Sequence, residues 1–243
     1  MSTPRAVALD TTTIMKSPVT TVIFDMDGLM LDTERIARRM WRQVLRECGY
    51  TLTDDMYAAF IGLSPRDARL LMYETFGDDL PLGACEARAN EVYRDIIERD
   101  GIPLKRGLND CLDFLDTTTV TTAVATSTER RFAVPLLKQT NLFHRFHAVV
   151  TGDDIVRGKP APDIFLVAAE RLSASPGECI VLEDSLPGIH AARNAGMIPI
   201  MIPDLVSPPD DIRHIAHAVV STLDVAVPLI ARLIRHEEHH IFP

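Results

Sequence analysis

Residues 22–33 read VIFDMDGLMLDT. The segment begins with branched and aromatic residues, which are typical of a buried β-strand. Asp25 and Asp27 follow this strand, and Gly28 comes next. Open α/β sheets bind their ligands at the carboxyl ends of the strands, and a buried carboxylate there needs a cation or another partner. The two aspartates therefore indicate a functional site, although a strand that ends in an ordinary Asp-Gly turn also fits this segment.

The composition limits the classes of protein to which the chain can belong. Its 243 residues are 47% hydrophobic, which is enough for one large domain or for a core domain with a smaller companion. The net charge of −9 argues against a general nucleic-acid binder, which needs a basic face. We find no apolar run of transmembrane length and no signal-peptide pattern, so we predict a cytoplasmic protein without membrane or nucleic-acid partners. The oligomeric state is left open, and a monomer is plausible.

Two groups of reactive side chains receive a simple interpretation. Cysteines occur far apart in the sequence and without a Cys-x-x-Cys pair, so we interpret them as reduced packing residues. These cysteines are Cys48, Cys85, Cys111 and Cys179. The histidines near the C-terminus fit a solvated terminus better than a metal site. They are His236, His239 and His240.

Two patterns of secondary structure follow the first strand. The chain is first helical, with Asp32 or Thr33 expected to cap the first helix. The predicted helices of this part are 33–48, 54–60, 65–76 and 82–99. Strands then alternate with helices. The predicted strands are 120–125, 147–150, 179–182, 197–202 and, at the edge, 219–220; the predicted helices are 107–116, one from 129, 162–172, 187–195 and 223–235.

This alternation predicts the α/β class, with a doubly wound parallel sheet and helices on both faces. The helical part is an insert between the first strand and the second. We predict a flexible N-terminal extension at 1–18, a core domain formed by 19–34 and 102–243, and a helical domain at 35–101.

Polar side chains follow four consecutive βα positions of the predicted sheet, where the carboxyl ends of parallel strands meet. Hard oxygen ligands such as these carboxylates suit Mg²⁺, and a hydroxyl, a helix start and a lysine suit an anion. Each group alone could be a helix cap or a solvated loop residue, but their equivalent positions favour a phosphate-handling site. The groups are Asp25 with Asp27, Thr126 with Ser127, Lys159, and Glu183 with Asp184.

Four segments resemble, in order, the four motifs of the haloacid dehalogenase-like hydrolase superfamily. The segments are DMDGLMLDT at 25–33, ATS at 125–127, GKPAPD at 158–163 and EDSLPG at 183–188. The resemblance extends from about residue 21 to residue 202 and implies a Rossmann-like core. The helical insert resembles the small α-helical cap of this superfamily, and the likeness is greatest to the branch of β-phosphoglucomutases and small-sugar-phosphate phosphatases.

The resemblance implies roles for the two aspartates and for the metal. Asp25 would be the nucleophile that forms an aspartyl-phosphate, and Asp27 would protonate the leaving oxygen and then activate water. Mg²⁺ would be bound by Asp25, the main-chain carbonyl of Asp27 and Asp184, with Glu183 in support. Asp27 also favours phosphoryl transfer over dehalogenation, because a halide leaving group needs no proton.

The remaining implied roles concern the substrate. Thr126, the Ser127 amide and Lys159 would hold the phosphoryl oxygens. In the cap, the segment GLSPRD at 62–67 resembles a substrate loop, which makes Gly62 and Arg66 candidate substrate-binding residues.

Two departures favour a phosphatase over a phosphosugar mutase. Mutases carry a histidine where this chain has Ala37, and an arginine directly after the serine where this chain has Pro65. Arg66, and Arg35 or Arg38, could then contact the substrate, although Arg66 could equally be a solvated helix residue. A mutase and a non-catalytic phosphate-binding protein remain as alternatives.

Overall fold

The computed structural model describes residues 18–63 and 65–235. The predicted extension at 1–18 falls outside this range except for its last residue, as do Ser64 of the substrate loop and the histidines His236, His239 and His240. No helix in the described part of the chain is long and apolar enough to cross a membrane.

A six-stranded parallel sheet forms the centre of the molecule, in the order β3-β2-β1-β4-β5-β6. Its strands are β1 Thr21–Phe24, β2 Thr121–Ala125, β3 Ala148–Val150, β4 Cys179–Glu183, β5 Ile198–Met201 and β6 Ala218–Val219. At the carboxyl end of β1, Phe24 is in register with Val124 on one side and with Leu182 on the other. The residues that follow β1, β2 and β4 therefore meet at one edge.

The helices of the described residues are α1 Thr33–Glu47, α2 Asp54–Ala58, α3 Pro65–Phe76, α4 Leu82–Asp100, α5 Leu108–Asp116, α6 Arg130–Gln139, α7 Asp163–Arg171, α8 Leu186–Asn194 and α9 Leu223–Arg235. The helices α5, α6 and α9 pack on one face of the sheet, and α7 and α8 pack on the other. On β1, Val22 and Phe24 belong to one hydrophobic cluster and Ile23 belongs to the cluster on the other face. Burial on both faces explains why the strand is a continuous apolar run. The predicted fold class is confirmed.

The helices α1 to α4 enclose a third hydrophobic cluster, which includes Val44, Leu45 and Val92. The contact between α1 and α4 is the main helix pairing of this part of the chain. We call this part the insert. The domain boundaries predicted for it, 35 and 101, remain a prediction.

The predicted cap of α1 is wrong. Asp32 occupies the position before the helix, but its side chain accepts no hydrogen bond from a backbone amide of the first turn. Instead, Asp32 accepts a hydrogen bond from Arg35 at 2.6 Å. The Thr33 hydroxyl donates to Asp27 at 2.6 Å. Both side chains are therefore held by tertiary or ion-pair contacts, which override the local capping preference.

Candidate active site

The site is built at the carboxyl edge of the three central strands. Asp25 continues β1 and its amide donates to the carbonyl of Leu182 on β4 at 3.0 Å. This hydrogen bond holds the Asp25 carboxylate next to the end of β4. There, Glu183 is fully buried and Asp184 nearly so. The sheet thus brings together carboxylates that are about 160 residues apart in the sequence.

These three buried carboxylates form an acidic group with ligand atoms within 4.8 Å of one another. Burial, and then the neighbouring carboxylates, raises the pKa of Asp184 well above its usual value. Burial also raises the pKa of Asp25, although Lys159 opposes the rise. The residues are hard oxygen donors with more negative charge than the adjacent lysine neutralises. They could therefore hold a metal ion.

Lys159 is the buried cation of the site. Its Nζ donates to Asp25 Oδ1 and, at 2.5 Å, to Glu183 Oε1. Burial alone would lower the pKa of Lys159, but the carboxylates of Asp25 and Glu183 raise it above its usual value. The ammonium group is therefore a fixed positive charge next to the predicted nucleophile.

Glu183 has hydrogen bonds on both of its carboxylate oxygens. Oε1 accepts from Lys159, and Oε2 accepts from the Ser185 amide at 2.7 Å and the Ser185 hydroxyl at 2.9 Å. These contacts orient Glu183 towards Lys159 and the start of α8. The structure therefore fits a supporting role for Glu183 better than a role as a direct metal ligand.

Asp27 is held by three threonine hydroxyls. Thr33 donates to its Oδ1 at 2.6 Å, while Thr128 at 2.7 Å and Thr126 at 3.2 Å donate to its Oδ2. The sequence interpretation missed Thr33 and Thr128. Thr33 was assigned only to the start of a helix, but the Thr-x-Thr spacing at 126–128 was a signal that could have found Thr128.

Thr126 and Ser127 lie where β2 ends. The Thr126 hydroxyl accepts from the Thr128 amide at 3.1 Å in addition to its contact with Asp27. The Ser127 hydroxyl oxygen is buried and has no partner among the described residues. Both residues are thus placed at the same edge as Asp25, as predicted; their roles remain predictions.

The loop between β1 and α1 approaches the acidic group closely. Gly28 has φ of +80°, and a Cβ atom at this position would collide with the Asp184 carboxylate. On the insert, Gly62 has φ of +78°, and a Cβ atom there would lie 2.7 Å from Ser185 Oγ. Glycine is required at both positions because a side chain would be strained and would clash. Gly62 therefore marks a close contact between the insert and the core.

A cleft of about 450 Å³ lies between the insert and the start of α6. Arg66, an exposed residue at the start of α3, lines this cleft together with Asn90 and Tyr93 of α4. The core contributes Arg131 and Phe132. The predicted substrate-binding residue Arg66 is therefore at a cleft between the two parts of the molecule.

Glu34 and Tyr57 also line the cleft, and the sequence interpretation missed both. The Tyr57 hydroxyl donates to Glu34 Oε2 at 2.7 Å. Burial is the main cause that raises the pKa of Glu34 to about 7, and the nearby Asp27 carboxylate contributes. Asp27 likewise contributes to the raised pKa of Tyr57 and Tyr93, after burial. The wall of the cleft that contains Glu34, Tyr57 and Tyr93 therefore lies within electrostatic range of the Asp27 carboxylate.

The structure does not bring Arg35 or Arg38 into this cleft. Arg35 pairs with Asp32 and, at 2.7 Å, with the buried Asp204. Arg38 pairs with Asp54 at 2.8 Å. Both guanidinium groups form ion pairs outside this cleft, and their contact with the substrate stays a prediction.

Comparisons with known proteins agree with this geometry. The model of the haloacid dehalogenase-like hydrolase family matches residues 19–196. The phosphorylated carbohydrates phosphatase of Thermotoga maritima is 32% identical over 180 residues, which cover 72% of this chain and 81% of the relative. The fructose-1-phosphate phosphatase YqaB of Escherichia coli is 36% identical over 176 residues, which cover 72% and 92%.

A solved structure shows the same fold. The β-phosphoglucomutase of Clostridium difficile aligns with a TM-score of 0.74 at 20% identity, covering 90% of this chain and 98% of that one. The chain belongs to the haloacid dehalogenase-like hydrolase family. Within it, the chain is a phosphoric monoester hydrolase of the branch that contains sugar-phosphate phosphatases and β-phosphoglucomutase-like structures.

Proposed function

We propose that this chain is a Mg²⁺-dependent phosphatase that hydrolyses a small phosphorylated metabolite, a sugar phosphate or a similar compound, through an aspartyl-phosphate on Asp25. One observation carries the proposal. Asp25 contacts the buried Lys159 and belongs to the acidic group, while Asp27 is held by three hydroxyls. A carboxylate nucleophile and a second carboxyl group at the same edge of the sheet are the two groups that the proposed reaction needs.

In the first step, a carboxylate oxygen of Asp25 attacks phosphorus and the bond to the leaving oxygen breaks. Asp27, in its protonated form, gives its proton to that oxygen. In the second step, Asp27 takes a proton from water, the water oxygen attacks phosphorus, the bond between phosphorus and the Asp25 oxygen breaks, and inorganic phosphate leaves. Asp25 is then again a free carboxylate, and Asp27 again carries its proton. The threonine hydroxyls keep the Asp27 carboxyl in the orientation that both proton transfers require.

The charge of the phosphoryl oxygens needs compensation, because phosphoryl transfer depends mainly on positioning and electrostatic stabilisation. Lys159, the Thr126 hydroxyl and the Ser127 amide would supply it from the protein. Asp25, the Asp27 carbonyl and Asp184 would hold Mg²⁺, with Glu183 in support. When bound, the ion supplies positive charge that screens the acidic group and the phosphoryl oxygens.

The cleft favours a small hydroxylated leaving group. Asn90, Tyr57, Tyr93 and Glu34 provide hydrogen-bonding groups on its walls, and Arg66 adds a positive charge. The two similar phosphatases are named for carbohydrate phosphates. We therefore propose a phosphorylated sugar or polyol as substrate and the insert, residues 35–101, as the cap that selects it.

A phosphosugar mutase is the second candidate, because the fold is similar to that of a β-phosphoglucomutase. The residue that stands in place of the mutase histidine, Ala37, packs against the hydrophobic cluster of the insert. It offers no group for proton transfer, which favours hydrolysis. A non-catalytic role is disfavoured by the intact set of Asp25, Asp27, Lys159 and Asp184.

The test is a panel of phosphate esters assayed with purified protein and Mg²⁺. We expect phosphate release from one or more sugar phosphates, its loss in Asp25→Asn, and no change in Asp55→Asn, whose carboxylate is on the exposed surface of the insert. Interconversion of hexose 1- and 6-phosphates without phosphate release would show a mutase instead. Absence of any turnover would support the binding alternative.

The metal is tested separately. Removal of divalent ions should abolish phosphate release, and added Mg²⁺ should restore it. Asp184→Asn should lower activity at least about a hundredfold, because one buried ligand is lost. In the wild-type chain Mg²⁺ should raise the melting temperature. An equal rise in Asp184→Asn would contradict the assignment of Asp184 as a ligand.

A further inference from the structure

Two of the four cysteines meet in the insert, far from the sheet edge. Cys48 follows the last turn of α1, and Cys85 lies in the first turn of α4. They are 37 positions apart in the sequence, yet their Sγ atoms are 3.2 Å apart. The packing of α1 against α4 therefore creates a thiol pair that the spacing in the sequence does not reveal.

The two thiols differ in their access to solvent. Cys48 is exposed, whereas Cys85 is fully buried in the hydrophobic cluster of the insert. Burial, with the neighbouring Cys48, raises the pKa of the Cys85 thiol to about 11. The thiolate is the reactive form of cysteine. An oxidant in solution would thus react first with Cys48, with Cys85 positioned to react second.

The distance between the sulfur atoms is that of a hydrogen bond, and a disulfide requires them to approach to about 2.05 Å. Cys48 lies at the end of a helix, where the backbone can adjust more easily than in the helix interior. The other two cysteines offer a contrast. Cys111 and Cys179 are buried in the two clusters that flank the sheet. Their interpretation as packing residues fits the structure.

We propose that Cys48 and Cys85 form a site of reversible oxidation, an intramolecular disulfide that links the end of α1 to the start of α4. With hydrogen peroxide as oxidant, the Cys48 sulfur attacks one peroxide oxygen, the O–O bond breaks, and a sulfenic acid and one water are formed. The Cys85 sulfur then attacks the Cys48 sulfur and expels the second water. Two thiols lose two electrons and two protons to one peroxide, and a dithiol reductant reverses the change.

The disulfide would enclose α2, α3 and the loop that carries Gly62. Closing this loop restricts the unfolded chain, so the oxidised protein should unfold at a higher temperature. The link lies in the hydrophobic cluster of the insert and not in the catalytic group. The proposed disulfide therefore links two helices of the insert, which lines the cleft. Its formation does not depend on the proposed phosphatase activity.

The experiment uses the full chain, folded and reduced, treated with a small excess of hydrogen peroxide and then alkylated and digested. We expect the number of free thiols to fall from four to two. Peptide mass spectrometry should find a Cys48–Cys85 peptide lighter by two hydrogen atoms than the two thiol peptides together. The melting temperature should rise with oxidation and return after treatment with dithiothreitol.

Cys48→Ser removes the exposed thiol with little risk to folding and should abolish both the cross-linked peptide and the shift in melting temperature. Cys111→Ser is the matched control, and it should leave both unchanged. Three results would overturn the proposal: Cys48 oxidised only to sulfinic acid with Cys85 still free, a disulfide between Cys48 residues of two chains, or no reaction of either thiol.

Discussion

The sheet edge and the insert hold their charged groups in different environments. At the sheet edge, the Lys159 side chain is 2% exposed and pairs with two buried carboxylates. In the insert, Asp54 is 65% exposed and pairs with Arg38 and Arg42. Water can replace a lost ion-pair partner of the exposed Asp54, but it cannot replace a lost partner of the buried Lys159. The proposed catalytic residues thus lie where each charge depends on its neighbours, and the insert can vary its charged surface with little effect on stability.

The largest expected effect comes from breaking the buried group. Lys159→Met leaves Asp25 and Glu183 without their cation, so we expect the free energy of unfolding to fall by about 3–5 kcal/mol. Phosphate release should fall at least about a hundredfold. Urea denaturation and a phosphate assay measure the two effects.

Arg42→Met is the matched control in the insert, and its unfolding curve should coincide with that of the wild type. Equal losses of stability in both variants would contradict the contrast between the two regions.

The second effect concerns the hydroxyls on Asp27. Thr33→Val and Thr128→Val each remove one hydrogen bond to a carboxylate, which is worth about 1.5–3 kcal/mol. If Asp27 transfers protons, kcat should fall about tenfold or more while KM changes little. Steady-state kinetics with the best substrate of the panel separates the two constants.

Thr140→Val, which removes a hydroxyl bonded to a backbone carbonyl in α6, serves as the control. A change in KM alone for Thr33→Val would assign Thr33 to substrate binding instead.

The third effect lies in the cleft. Arg66 forms no ion pair with another described residue, so its guanidinium is available to a substrate. Arg66→Ala should raise KM about fivefold, which corresponds to about 1 kcal/mol of binding free energy, and should leave kcat nearly unchanged. Arg88→Ala is the matched control, because Arg88 lies on the insert outside the cleft and pairs with Glu47 at 3.0 Å. Equal KM values for Arg66→Ala and the wild type would mean that Arg66 is only a solvated residue.

The smallest effect is a pH dependence of stability. Folding raises the pKa of Glu34 from 4.5 to about 7, so the folded chain binds the Glu34 proton more tightly than the unfolded chain. The wild type should therefore lose stability relative to Glu34→Gln as pH rises from about 4.5 to about 7, and the difference should be constant outside that window. Denaturant unfolding of both proteins at several pH values measures this difference. A difference that does not vary with pH would show that Glu34 titrates normally.

The order of strands and helices could be predicted from the sequence. The apolar run of β1, the β-branched run of β2 and the helical periodicity of α3 and α9 are local patterns, and each element was found within a few residues of its observed bounds. The members of the acidic group were also predicted, because parallel strands bring their carboxyl ends to one edge. The family match confirms the resemblance that these motifs indicated.

Other features depend on contacts that no local pattern encodes. Thr33 was assigned to a helix start, yet its hydroxyl also donates a hydrogen bond to the Asp27 carboxylate. Arg35 was considered for contact with the substrate, yet its guanidinium pairs with Asp204, which lies beyond β5 and 169 positions away. The partner of Thr33 lies six positions earlier in the chain and that of Arg35 far along it, and neither contact follows from the local helix preference.

The sequence by itself determined the α/β sheet, the helical insert and the residues at the strand ends, since these follow from hydrophobic periodicity and from the geometry of parallel strands. The tertiary structure alone decided which side chains meet between elements. The contact of Tyr57 with Glu34 and that of Cys48 with Cys85 both arise from how the helices of the insert pack on α1. Such contacts depend on the relative placement of whole helices, and that placement is set by the buried surfaces they share rather than by any short segment of sequence.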